Sequence, residues 1–366
     1  MLCPYCLKDV KFQIVGDTDD NLSDDEIQSV LKEPDKDSGD VFGGQSRSEL
    51  RNNDNPFERR ERFDDLYVGR CSNKNCNGKV PVGYVKGYEQ YPPVIFTAAG
   101  NTGHGKTAYL RSLLYLLSFG HLAPSWPNFH CTPLNDYSSE EVRKSILAFE
   151  GGALPEPTQK IIPKPVFLRL ANIPTHKDST LVIFDSPGEF WTSGKAIGRQ
   201  VRFVSRAQNW IYVISIPKLR SHGKKILISM DNLMNHYINA MEGMLGNTHK
   251  QDLRIVLTMV DELRDVHTEW PMLWQHICDD SLVGLRSISK YKYDSHLVSQ
   301  LVSVYLAKGL NAMQVISKAR NKFRSVQFFM VSALGISPDE VSTQMKVKPN
   351  PCRVIDPLLA CLPLED

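Results

Sequence analysis

Val94-Ile95-Phe96-Thr97-Ala98-Ala99-Gly100-Asn101-Thr102-Gly103-His104-Gly105-Lys106-Thr107 is the stretch on which the reading of the fold turns. Its first half is β-branched and aromatic, as a buried strand requires, and its second half is a glycine-rich loop of the form G-x-x-x-x-G-K-[ST]. An apolar run from Lys106 to Phe119 follows at once and predicts a helix. Glycines let backbone N–H groups crowd a phosphate, and Lys106 neutralises charge at the β and γ positions. The Thr107 hydroxyl reaches magnesium, and the helix N-terminus adds a favourable dipole. Gly100, Asn101, Thr102, Gly103, His104, Gly105, Lys106 and Thr107 are therefore the candidate nucleotide ligands, with Lys106 also a candidate catalytic charge. A bare glycine-rich turn matches the pattern too; the strand-loop-helix context is what argues for phosphate binding.

Short apolar runs alternate with longer amphipathic stretches from Tyr91 onward, the pattern of a mostly parallel sheet with helices on both faces. Strands are expected at Val94 to Ala98, Val166 to Leu170, Leu181 to Asp185, Trp210 to Ile216, Arg254 to Met259 and Val326 to Ser332. Helices are expected at Lys106 to Phe119, Lys225 to Gly246 and about His296 to Arg324. The fold class is α/β, over residues 91–366. With 366 residues and 42% hydrophobic composition, the chain has room for one substantial core and a smaller module.

Leu181-Val182-Ile183-Phe184-Asp185-Ser186-Pro187-Gly188 is a buried strand ending in an aspartate and then D-x-x-G. An aspartate at the carboxyl end of a strand beside the loop strand is placed to hold a magnesium-bound water, and Gly188 would let the backbone swing to the γ-phosphate. The alternative for Asp185 alone is an ordinary turn residue.

In this order the motifs resemble those of the P-loop GTPases of the translation-factor and Ras-like superclass, over roughly Pro93 to Gly335. Asp185 and Gly188 match D-x-x-G, Thr258-Met259-Val260-Asp261 matches [NT]-K-x-D except at its second position, and Ser332-Ala333-Leu334 matches the last motif, S-A-[KL]. The resemblance implies that Asp261 reads guanine, with Thr258, Ser332 and Ala333 around the base; Met259 supplies only an apolar contact where the family has lysine. Thr258 to Asp261 also reads as a plain strand-to-helix cap. A switch threonine completing the magnesium shell would be Thr158, in Leu154-Pro155-Glu156-Pro157-Thr158, with Thr132, Thr175 and Thr180 as rivals. Glu189 follows D-x-x-G where the Ras-like enzymes carry a glutamine and translation factors a histidine, and it is a candidate for orienting water. Arg199 and Arg202 are candidates for a built-in arginine finger, although surface arginines are mostly solvated.

At the N-terminus, Cys3-Pro4-Tyr5-Cys6 and Cys71-Ser72-Asn73-Lys74-Asn75-Cys76 form C-x2-C and C-x4-C turns that aim four thiolates at one tetrahedral, structural zinc. A redox dithiol at Cys3 and Cys6 is the alternative. The zinc-ribbon-like module spans 1–15 and 66–90, around a polar and acidic insertion at 16–65 expected to be disordered, with a capped helix starting at Ser23. Cys131, Cys278, Cys352 and Cys361 stand alone. A zinc ribbon running into such a GTPase is similar to the bacterial double-GTPase families associated with anti-phage conflict systems, which implies partner proteins from the same system.

The formal charge is +2, from 43 Lys+Arg against 41 Asp+Glu, which argues for neither a nucleic-acid nor a membrane surface. Met1-Leu2-Cys3-Pro4 lacks a signal peptide's basic and apolar run, and no stretch approaches about 20 apolar residues, so a cytoplasmic chain is expected. The leading expectation is a regulatory GTPase using GTP and magnesium. The alternatives are an ATPase or nucleotide-dependent kinase on the same loop, and a binding protein without turnover.

Overall fold

The computed structural model describes residues 1–16, 67–76, 78–100, 102–118, 120–151, 164–191, 197, 207–245, 250–263, 266–278, 281–335 and 349–365. Most of the expected insertion, from residue 17 to 65 and including the expected capped helix at Ser23, lies outside them.

Three short strands begin the chain: β1 (Phe12–Gly16), β2 (Tyr67–Cys71) and β3 (Lys79–Pro81), antiparallel in the order β1-β2-β3. A single turn, α1 (Val82–Lys86), leads out of them. Among the described residues the main sheet has seven strands: β4 (Pro93–Ala99), β5 (His130–Pro133), β6 (Val166–Ala171), β7 (Ser179–Asp185), β8 (Asn209–Ser215), β9 (Asp252–Thr258) and β10 (Ser325–Met330). Their order is β10-β9-β8-β4-β7-β6-β5. From β10 to β7 every pairing is parallel, while β6 and β5 are antiparallel additions at one edge. Among the described residues the longer helices are α2 (Lys106–Leu117), α3 (Asp136–Glu150), α4 (Ile216–Leu245), α5 (Pro271–Cys278), α6 (Ile288–Val304) and α7 (Met313–Lys322), and single turns include α8 (Asp356–Leu359). The chain is α/β with a mostly parallel sheet, as the alternating pattern predicts.

Side chains alternate across a strand, so each strand feeds two layers. On β4, Val94, Phe96 and Ala98 join one core with Tyr109, Leu110, Leu113 and Leu117, which lie one helical turn apart on α2. Ile95 points the other way, into a layer with Phe167, Val182 and Phe184 from β6 and β7 and with Leu7, Val80 and Tyr84 from the N-terminal module. The cysteine-bearing module thus covers the sheet face under β4, β6 and β7. Over β8 to β10 that same face is covered by α4 and α7.

Two helix expectations need correction. α4 starts at Ile216 rather than Lys225, directly out of β8, because Pro217 fits a helix's first turn, where no N–H is required. The single helix expected from His296 to Arg324 is two. α6 is capped by the Ser287 side chain, which accepts from Lys290 N, and runs through a π-turn at Tyr305–Gly309. The break before α7 contains Asn311 at a φ of 53°, in the left-handed region. β5 and α3 were not expected. α3 is initiated by the Asn135 side chain, which accepts from Ser138 N at 2.9 Å.

Under α4 the fully buried rings of Trp210 and Tyr237 stack with centroids 3.5 Å apart and planes at 6°. Tyr212 and Phe323 stack on the same indole. Trp210→Ala is expected to cost about 3–5 kcal/mol, the range for deleting a large buried aromatic side chain. Urea unfolding followed by circular dichroism measures this, and a loss below about 1 kcal/mol would mean the cluster is not part of the stabilising core.

Candidate nucleotide site

The loop after β4 has Gly100, Gly103 and Gly105 at φ of 147°, 76° and 77°. At Gly100 the constraint is steric as well as conformational: a Cβ there would lie 2.4 Å from the Val213 carbonyl oxygen of β8. Lys106 begins α2 and is 6% exposed; its Nζ donates to the Gly100 carbonyl at 2.8 Å, so the ammonium curls back over the loop that precedes it. Thr107 is the next residue of the helix and half-buried, while Thr102 and Gly103 are exposed.

The loop is fastened from two neighbouring strands. The Thr258 hydroxyl, at the end of β9, donates to the His104 carbonyl at 2.9 Å. His104 Nδ1, buried, accepts from the backbone N–H of Ser215 at 3.3 Å. The Ser215 hydroxyl in turn points at the Met259 sulfur, 3.3 Å away. Met259 itself has a φ of 62°, which turns the chain sharply after β9.

Asp185 ends β7 and is in register with Ala98 on β4, two residues before Gly100. The next residue is tied to the loop strand as well: Ser186 Oγ donates to the Ala98 carbonyl at 3.0 Å and accepts from the Trp191 indole at 3.0 Å. Gly188 opens a 3-10 turn, Gly188–Trp191, that includes the backbone of Glu189. The charge of Asp185 is felt at Tyr137 on α3, whose hydroxyl pKa is raised by burial first and then by Glu141 and Asp185. On the other side of the loop, the Ser332 hydroxyl donates to Asp261 Oδ1 and accepts from Gly335 N at 2.8 Å, with Ala333 buried beside it.

The structure therefore brings together Gly100, Gly103, His104, Gly105, Lys106, Thr107 and Thr258, places Asp185 on the adjoining strand end, and joins Asp261 to Ser332. Asn101, Thr158, Arg199, Arg202 and the Glu189 side chain lie outside the described residues. The rivals to Thr158 sit elsewhere. Thr180 pairs with Pro93 at the opposite end of the sheet, Thr132 pairs with Arg169 along that same edge, and the Thr175 hydroxyl is engaged with His176. Ser215 and Ser186 were missed, though each had a visible signal as the polar residue that ends or follows an apolar strand beside the loop strand. Tyr137 had none, because its proximity to Asp185 depends on how β5 and β6 fold back.

In the N-terminal module the sulfurs of Cys3, Cys6, Cys71 and Cys76 all lie within 4.8 Å of one another. Two of the separations are 3.8 Å (Cys3 to Cys76) and 3.9 Å (Cys6 to Cys71). A tetrahedron with Zn–S bonds of about 2.3 Å has edges of about 3.8 Å, so the donor set fits that ion. Burial raises the Cys3 thiol pKa, and burial together with the neighbouring Cys6 takes Cys76 up to about 11. Cys6 goes down: burial opposes its ionisation, but hydrogen bonds from the Asn73 side chain and the Lys8 backbone outweigh it. A divalent cation would displace the protons that such crowding otherwise retains.

No family model matches the chain, and no curated relative does. Among solved structures it is similar to the S. cerevisiae Ski7 GTPase-like domain bound to GTP, at 16% identity and a TM-score of 0.29, over 69% of this chain and 48% of that one. It is also similar to the signal recognition particle receptor SRb-GTP/SRX complex from Chaetomium thermophilum, at 14% identity and a TM-score of 0.30, over 67% of this chain and 93% of that one. A third likeness, to sup35 complexed with GMPPNP, has 13% identity and a TM-score of 0.25, over 66% of this chain and 38% of that one. The chain thus spans less than half of the Ski7 and sup35 chains it matches. At these scores, what the site does must be read from its own residues.

Thr258→Val keeps the shape of the side chain but leaves the His104 carbonyl without its donor. The expected loss is about 1–3 kcal/mol in urea unfolding, the usual cost of a buried unsatisfied polar group. A change below about 0.5 kcal/mol would show that the β9 fastening contributes nothing.

Proposed function

We propose that this chain is a regulatory GTPase: it binds GTP with magnesium on the 100–107 loop, hydrolyses it, and uses the nucleotide state to switch partner binding. The observation that supports this most is the hydrogen bond from Thr258 to the His104 carbonyl, because it makes the phosphate-side loop and the base-side segment one mechanical unit. Backbone N–H groups of the loop and the Lys106 ammonium would hold the β- and γ-phosphates. Thr107 and Asp185 offer the hard oxygen donors that suit magnesium, with Thr158 proposed as the third. Bound there, the ion would neutralise charge developing on the phosphates. Gly188 would carry the signal that the γ-phosphate is present. Glu189, Arg199 and Arg202 are the proposed residues for orienting water and stabilising the transition state.

At the other end Asp261, held by Ser332, would accept two hydrogen bonds from guanine, and adenine would leave a buried acceptor unpaired. Thr258 and Ala333 would line the base. Met259 in place of lysine is what keeps an ATPase in view; in that reading Asp261 has no base to read. The four cysteines are assigned to a structural zinc, and the 1–15 and 66–90 module to a role in supporting the fold. The anti-phage setting implied by the double-GTPase resemblance would supply the protein partner.

Titration of the purified chain with labelled GTP and ATP in magnesium, followed by phosphate release, tests the assignment. Tighter binding of ATP rejects it, and GTP retained without release leaves a binding protein. Lys106→Ala is expected to abolish triphosphate binding. Asp261→Asn is expected to weaken GTP by about tenfold or more while improving binding of xanthosine triphosphate; an unchanged base preference removes Asp261 from the site. Elemental analysis is expected to find about one zinc per chain, lost in a Cys71→Ser variant of lowered thermal stability. A metal-free chain of unchanged stability would refute the zinc assignment.

A further inference from the structure

We propose that residues 349–356 form a clamp that orients the Asp261 carboxylate through Ser332, making Cys352 and Arg353 positioning residues for guanine selectivity; this rests on the guanine reading above. Ser332 is the link. Its hydroxyl donates to Asp261, and its backbone exchanges both hydrogen bonds with Cys352, Ser332 N to Cys352 O at 3.0 Å and Cys352 N to Ser332 O at 2.9 Å. Asn350 N donates to the Leu334 carbonyl at 2.8 Å. Contact between clamp and loop is backbone to backbone. Gly335 has a φ of 73°, and a Cβ there would meet the Asn350 carbonyl oxygen at 2.0 Å.

The clamp is itself anchored in the core. The Cys352 thiol donates to the Ile277 carbonyl, at the end of α5, at 2.7 Å. Arg353 is 3% exposed and has a φ of 61°, a left-handed backbone that a non-glycine residue keeps only where its surroundings dictate it. Its Nε lies 2.8 Å from Asp356 Oδ2, with both side chains almost fully buried. Its Nη2 lies 2.6 Å from His276 Nε2. Burial and the Arg353 charge take the His276 pKa down to about 3, so that ring remains a neutral acceptor. Val354, Ile355, Leu358 and Leu359 are buried in the same core as α2. A buried ion pair is a weak source of net stability, but a shifted arrangement of this segment would strand both charges. Here the register it sets is that of Cys352 opposite Ser332. The direction in which the serine hydroxyl meets Asp261 follows from that pairing.

The test compares GTP and ATP affinities by labelled-nucleotide titration, with competition by inorganic tripolyphosphate as a separate measure of the phosphate loop and circular dichroism as the check of folding. Cys352→Pro removes the N–H that donates to Ser332, and the GTP-to-ATP affinity ratio is expected to fall about tenfold while tripolyphosphate competition stays within about twofold. Cys352→Ala keeps the backbone pairing but loses the thiol anchor on Ile277, and its ratio is expected to fall by less, about twofold. If Cys352→Pro does not fold, Arg353→Gly combined with Asp356→Asn serves instead: it tolerates the left-handed backbone, removes the ion pair, and is expected to lower the ratio in the same way. A folded clamp variant with an unchanged ratio, or one that loses tripolyphosphate competition equally, overturns the clamp. A wild-type chain without GTP preference would instead remove the guanine reading beneath it.

Discussion

The carbonyl of Val213 stands so close to Gly100 that no side chain fits between them, and from this contact the rest of the site is built. A loop that must turn its N–H groups inward has few internal hydrogen bonds with which to hold its own shape. Here the shape is imposed from outside. β8 supplies the Val213 carbonyl and the Ser215 N–H, and β9 supplies the Thr258 hydroxyl. All these groups come from the carboxyl-terminal halves of two neighbouring parallel strands, so the strand spacing itself sets the distances. Parallel pairing puts several carboxyl ends along one edge of the sheet, which is where α/β folds gather ligand-binding groups.

The N-terminal module shares a layer with Ile95, Val182 and Phe184, the last of them next to Asp185. Burial raises the Cys3 and Cys76 thiols, and a cation that collected the four sulfurs as thiolates would convert binding energy into folding energy. Leu7, the chain neighbour of Cys6, lies in that shared layer, so order in the cysteine turn bears on β4 and β7 as well as on the module. The opposite end of the chain works in the same direction, with segment 349–356 pairing onto Ser332 beyond β10. Both ends of the described chain thus brace the sheet whose strand ends carry the candidate site.

Periodicity made much of this legible in advance. Six strands of the main sheet, the helix after the loop, the aspartate at 185 and the cysteine quartet are local patterns, in which a few neighbouring side chains decide the backbone. β5 and α3 escaped because His130 to Pro133 is short and half-exposed, and because the Asn135 cap precedes a polar helix. The break at Asn311 escaped because its left-handed turn lies inside an otherwise continuous amphipathic stretch.

What the amino-acid order determined by itself was the class of the fold and the backbone shape of the loop, since Gly100, Gly103 and Gly105 stand where the chain takes positive φ angles between a strand and a helix. Only the tertiary structure decided that Ser215 and Thr258 fasten His104, that Asp185 lies opposite Ala98, that Ser332 meets Asp261, and that a segment after residue 349 stands behind it. Those pairs are separated by tens of residues. Their meeting depends on strand order, and strand order is set by which faces can be buried together rather than by any residue's neighbours in the chain.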